Sequence, residues 1–98
     1  NTRRIIWTFS IAYGDDFQKA KNLLLKWIKN DKRILKDKEP LVVLSELADS
    51  SVNIMVRVWV KSDDFLEVKF DYNEKVYSEF PRNGLSIPFP QLDVNLNK

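Results

Sequence analysis

Apolar residues along this chain recur first at every second position and then at every third or fourth, and the switches between these periods divide it into elements. From Arg3 to Tyr13 the pattern alternates. Ile5, Trp7, Phe9, Ile11 and Tyr13 fall on one side and Arg4, Thr8 and Ser10 on the other, which predicts a first strand. Gly14 supplies a turn, and Asp15 is a candidate N-cap with Gln18 three residues on in a capping-box pattern. Phe17, Ala20, Leu24, Trp27 and Ile28 then repeat at helical spacing to about Asn30, with Lys19, Lys21, Lys26 and Lys29 on the wet side. A charged loop, 31–40, tucks Ile34 and Leu35 inward.

Leu41 to Leu47 predicts a second strand, and 48–51 a tight turn. Val52 to Lys61 is the clearest element. Val52, Ile54, Val56, Val58 and Val60 share one face, and Asn53, Met55, Arg57, Trp59 and Lys61 the other. Ser62-Asp63-Asp64 opens a second helix, buried along Phe65, Val68, Tyr72, Val76 and Phe80 and halted near Phe80 by Pro81, with Gly84 free to turn left-handed. A further stripe, Leu66, Phe70 and Tyr77, lies off that buried line. Core packing is its plainer assignment, and a contact with a second subunit the sharper one.

The order is β-α-β-β-α-β, which predicts an α+β, ferredoxin-like sandwich with two helices on one face of an antiparallel sheet. Its tail is unusual. Pro88 and Pro90 stand on the same side of an extended segment and donate nothing to a ladder, so that side cannot sit in mid-sheet. Leu92, Val94 and Leu96 then alternate with Gln91, Asp93, Asn95 and Asn97 as a strand with one wetted face does. A lone terminal strand needs a pairing partner, and other copies of the chain are the natural source. Two units are therefore expected: residues 1–90 as the sandwich and residues 91–98 as an oligomerisation strand.

Composition removes chemistry from this picture. The chain has no cysteine and no histidine, so disulfides, thiolate metal sites and the commonest general base are absent. The acid pairs Asp15-Asp16 and Asp63-Asp64 read as groups at helix mouths rather than as carboxylate dyads. With two glycines in the whole chain, Gly14 and Gly84, no phosphate-cradling loop can be built. We expect no enzyme, cofactor or metal. Met55, Arg57 and Trp59 on an open sheet face suit RNA in principle. The net charge of only +2 and the missing glycine-and-aromatic signature argue against nucleic acid, and for a protein contact instead. No apolar run approaches the roughly 20 residues of a membrane span. Asn1-Thr2-Arg3-Arg4 leads straight into a strand without a starting Met, so we expect a fragment of a longer protein.

Four segments carry a family resemblance. Arg-Ile-Leu-Lys-Asp (33–37), Glu-Leu-Ala-Asp-Ser-Ser-Val-Asn (46–53), Val-Arg-Val-Trp-Val-Lys (56–61) and Ile-Pro-Phe-Pro-Gln-Leu-Asp-Val (87–94) together resemble the cytoplasmic carboxy-terminal domain of the small-conductance mechanosensitive channel family of bacteria and archaea. Pro81 departs from the small or acidic residue expected at that point. The resemblance implies a pore that opens under bilayer tension and releases ions and small solutes during hypo-osmotic shock. It further implies a homo-oligomer, seven copies in the best-known members, closed into a cage on the cytoplasmic side of a bacterial or archaeal cell membrane. Membrane helices would precede this domain and meet the lipid bilayer. The tails, residues 91–96 here, would join in a small barrel, with Pro88 and Pro90 marking the exit from the domain's own sheet. Met55, Arg57 and Trp59 are candidate subunit contacts. A ferredoxin-like small-ligand sensor or plain oligomerisation module is the alternative. An acylphosphatase-like enzyme fits worse, because Tyr13-Gly14-Asp15-Asp16 offers negative charge where phosphate would need an arginine.

Overall fold

The computed structural model describes residues 1–88. Three strands, β1 (Thr2–Ile11), β2 (Leu41–Leu47) and β3 (Val52–Lys61), form an antiparallel sheet in the order β1-β3-β2. Helix α1 (Phe17–Lys29) links β1 to β2, and α2 (Phe65–Arg82) follows β3 after one 3-10 turn, Ser62–Asp64. The α+β class, the antiparallel sheet and the helix positions agree with the sequence reading. The last strand of the expected β-α-β-β-α-β order, along with Pro90 and Gln91, Leu92, Asp93, Val94, Asn95 and Leu96, lies outside the described residues. Among the described residues no helix is long and apolar enough to cross a membrane.

Alternation decides which side of each strand goes inside. Ile5, Trp7, Phe9 and Ile11 of β1 are buried together with Val52, Ile54, Val56, Val58 and Val60 of β3. Against them pack Ala20, Leu24 and Ile28 of α1 and Val68, Tyr72, Val76 and Phe80 of α2. Each large apolar side chain removed from water there contributes about 1.5–3 kcal/mol. The Trp7 and Tyr72 rings stack at 4.9 Å, and Trp27 meets Tyr72 edge-on at 6.5 Å. The Trp7 indole N–H donates to the Lys69 carbonyl at 3.1 Å, so this polar atom is not left unpaired in the core.

Several ends differ from the sequence expectation. Tyr13 lies beyond β1, exposed, and its hydroxyl donates to the Ala48 carbonyl. The N-cap of α1 is Asp16, not Asp15. Its carboxylate accepts from the Lys19 amide at 3.2 Å, while Gln18 turns to Asn22. Phe17 starts the helix, which puts Asp16 in the capping register and leaves Asp15 one residue too early. The 3-10 turn and α2 have no side-chain cap, so Asp63 and Asp64 stand at the helix mouth without making that bond.

Pro81 does not halt α2 at Phe80; the helix runs on to Arg82. A proline removes one amide and crowds the carbonyl four residues earlier, but in the final turn little helix remains to disrupt. What ends the helix is Gly84, at φ +79°. The Leu85 amide reaches the Phe80 carbonyl at 2.9 Å and the Gly84 amide reaches Pro81 at 3.2 Å. This double bond pattern around a left-handed residue closes off the last carbonyls, with Leu85 buried as its apolar plug.

Candidate functional site

The helices cover one face of the sheet, and the strand register lays out the other. Arg4 lies opposite Trp59, Ile6 opposite Arg57, Thr8 opposite Met55 and Ser10 opposite Asn53. Across β3, Arg57 faces Leu41 and Met55 faces Val43. A register shift between Leu44 and Glu46 absorbs one extra residue, which brings Glu46 opposite Asn53 on this open face. Asn53 is saturated by its neighbours. Its carbonyl oxygen accepts from Ser10 and Ser51 at 2.8 Å each, and its amide donates to Glu46 at 3.0 Å.

The centre of this face combines apolar side chains with the Arg57 guanidinium, its Trp59 end is basic and its Asn53 end is polar. Met55, Arg57 and Trp59 are half-buried between the flanking strands, and Ile6 is 45% exposed. The Lys38 ammonium sits 4.7 Å over the Trp59 ring. Arg4, Lys61 and Lys38 therefore gather at the Trp59 end of an apolar strip of Ile6, Val43, Met55 and Trp59, and Arg57 stands within that strip between Met55 and Trp59. The sequence brought the three candidate contacts of β3 together, but Ile6, Val43 and Lys38 became part of the surface only through strand order and loop path. Pro88, expected at the sheet exit, lies in no strand.

Two anchors position the surroundings. Asp31, just after α1, accepts from the Arg33 guanidinium at 3.0 Å through both Nε and Nη2, from the Arg33 amide at 3.0 Å and from the Tyr72 hydroxyl at 3.0 Å. Burial alone would raise the Asp31 carboxyl, but these donors outweigh it and hold it below its ordinary value. The Tyr72 hydroxyl is raised, first by burial and then by the adjacent Asp31 charge. Arg33 also reaches Asp71 at 2.7 Å, tying the loop to α2. That loop then lays the Leu35 amide on the Trp59 carbonyl at 2.8 Å, which sets the approach of Lys38.

The second anchor is Asp15. Displaced from the cap, its carboxylate accepts from the Ala12 amide at 3.1 Å and from the Ser86 amide at 2.7 Å. The Ala12 amide also meets the Ser86 carbonyl at 3.2 Å. The chain leaving α2 is thus fastened to the end of β1. No sequence signal distinguished this role from capping, because both roles use an acid before a helix.

The stripe Leu66, Phe70 and Tyr77 is not core. These side chains are 58%, 53% and 76% exposed. They lie roughly a third of a turn around α2 from its buried line, too far to reach the sheet. Among the described residues, no group of three or more histidine, cysteine, aspartate or glutamate side chains converges as a metal site. The cleft between α1 and α2 beside Trp27 holds its own cation, Lys75, 5.3 Å from the Trp27 ring.

Comparison with known proteins is specific. Residues 5–87 match the family model described as mechanosensitive ion channel MscS, C-terminal. The chain is 41% identical over 96 residues to an uncharacterized MscS family protein of Buchnera aphidicola subsp. Baizongia pistaciae, covering 98% of this chain and 34% of that protein. It is 38% identical over 94 residues to the small-conductance mechanosensitive channel of Edwardsiella ictaluri, covering 96% of this chain and 33% of that one. In structure it resembles closed-state MscS of Helicobacter pylori, with a TM-score of 0.85 at 26% identity over 99% of this chain and 39% of the other. The chain spans about a third of the length of the relatives it matches. A family model matched over nearly the whole described structure, on an α+β fold shared with a solved member, leads to one conclusion: this chain belongs to the MscS mechanosensitive ion channel family, as its C-terminal domain.

Proposed function

We propose that this domain builds, with other copies of itself, the cage beneath the pore of a mechanosensitive channel. Seven copies close around a hollow space, and ions and small solutes pass through the openings during hypo-osmotic shock. The domain does no covalent chemistry. It assembles subunits and screens permeants by the size and charge of the gaps between them. Tension acts on membrane helices elsewhere in the whole protein, in a bacterial or archaeal cell membrane with this domain on the cytoplasmic side. The cage biases the opening equilibrium only through contacts that differ between the open and closed states.

The observation that carries this function is the match of residues 5–87 to the C-terminal domain of a mechanosensitive ion channel. Two structural features support it. The open sheet face is a half-apolar surface of the kind subunits cover, and Met55, Arg57 and Trp59 stand at its centre. The Asp15 anchor fastens the chain leaving α2, at Ser86, to the end of β1, and in the proposed cage residues 91–96 pair with sister copies as a barrel strand.

The test uses the full-length protein in bacteria stripped of their own mechanosensitive channels. It should restore survival of osmotic downshock and give tension-activated currents in excised patches. Truncation after Pro90 should lower recovery of the multi-subunit channel. Equal recovery with and without residues 91–98 would overturn the role given to the tail, and absence of tension-activated current would overturn the channel function.

A further inference from the structure

Among the described residues, two apolar patches are left uncovered, on different sides of the sandwich. One is the α2 stripe of Leu66, Phe70 and Tyr77; the other is the strip of Ile6, Val43, Met55 and Trp59 on the open sheet face. We propose that the α2 stripe of one copy docks on the open sheet face of the next, head to tail. This rests on the proposed ring of copies and names the contact that forms it.

Charge decides the pairing. Helical spacing sets Glu67 and Glu74 along one side of the stripe; Glu67 also reaches Arg33 at 3.6 Å, with its side chain still 65% exposed. Arg57 stands within the sheet strip, and Arg4, Lys61 and Lys38 gather at its Trp59 end. The charges of the wrong sign point elsewhere: Lys69 turns toward the Phe65 ring, at 5.7 Å, and Glu46 is bound by Asn53. Stripe against stripe would set Glu67 and Glu74 on their own counterparts, and sheet against sheet would set arginine on arginine. Like charges set against each other across a contact oppose it. Only the mixed pairing brings acid to base while burying both apolar strips.

Symmetry gives the consequence. A contact between two different patches leaves each copy one free patch of either kind, so growth continues until the ring closes, whereas a self-matching patch stops at a dimer. In the contact, Phe70 and Tyr77 reach the strip that Lys38 now shields over Trp59. Aromatic anchors in the middle of a patch with a charged rim are the usual bearers of interface energy.

The domain has no cysteine, so introduced thiols report on it cleanly. In the full-length protein, with any other cysteine replaced, Phe70→Cys is paired with Met55→Cys, and Tyr77→Cys with Thr8→Cys. Phe70, Tyr77 and Thr8 are exposed, so these changes leave the core intact. After treatment with a short bis-maleimide, a denaturing gel should show a ladder from dimer to closed ring for a double variant and monomer alone for each single one. Dimers from a single variant would mean a self-matching contact and overturn the proposal. No ladder from either pair, in protein whose native mass is that of a multi-subunit complex, would overturn the contact and leave the cage standing. A native mass of one subunit before cross-linking would remove both.

Discussion

Asp31 is the residue on which most local order converges. It sits immediately after α1, where the chain must turn back toward β2, and its carboxylate collects four donors from Arg33 and Tyr72. Hydrogen bonds to a charged group are worth about 1.5–3 kcal/mol each before losses elsewhere. Asp31→Asn should therefore lower the unfolding free energy of the domain by about 1.5–3 kcal/mol at neutral pH, read from urea denaturation midpoints. The pH dependence has a fixed sign. A carboxyl held below its ordinary 3.8 contributes in full above that value and loses its contribution as pH falls through its lowered native value. The gap between wild type and Asp31→Asn should accordingly close in acid, in denaturation curves taken from neutral pH down to about 3. A constant gap would mean that the charge is not what matters. Nothing in the sequence marked Asp31, since Arg33 and Tyr72 reach it through a loop and a distant helix.

Helix ends are the elements where local rules competed. Gly84 acted as its type suggests, because a left-handed residue is what a helix needs to bond its last carbonyls. Pro81 was expected to stop α2, yet the closing pattern around Gly84 carried the helix past it. Proline there still deprives the Tyr77 carbonyl of an amide donor. Pro81→Ala should raise the unfolding free energy by about 1 kcal/mol, the restored bond being partly offset by a looser unfolded chain. Thermal unfolding followed by far-ultraviolet circular dichroism measures it, and an unchanged or lower midpoint would mean that the ring is packing usefully. At the other helix, Asp15 and Asp16 look alike in sequence. Which one caps depends on where the first turn starts, and the other was free to tie Ser86 to β1.

At the scale of the molecule, one core holds the sheet and both helices together. Ile54 lies fully buried on β3, the strand that pairs with both neighbours. Ile54→Ala should cost about 2–5 kcal/mol, through lost burial and the cavity left behind. Because the central strand is shared, tryptophan fluorescence and the backbone signal should lose stability together in one transition. Separate transitions would mean that the two helices pack as independent units. Strand β3 could be bounded from alternation alone because a two-residue period has one buried solution. A one-residue slip would put every valine of β3 in water. The α2 stripe carried no such unique solution, since its spacing fits a second buried line as well as an exposed one. Local periodicity thus sufficed for the elements, their inward faces and the class of fold, which depend on neighbours a few residues apart. Strand order, the Asp31 and Asp15 anchors, and the gathering of Ile6, Val43, Trp59 and Lys38 into one surface depend on residues distant along the chain. Those were decided only when the sheet closed around β3 and the helices took one side of it, leaving the other uncovered among the described residues.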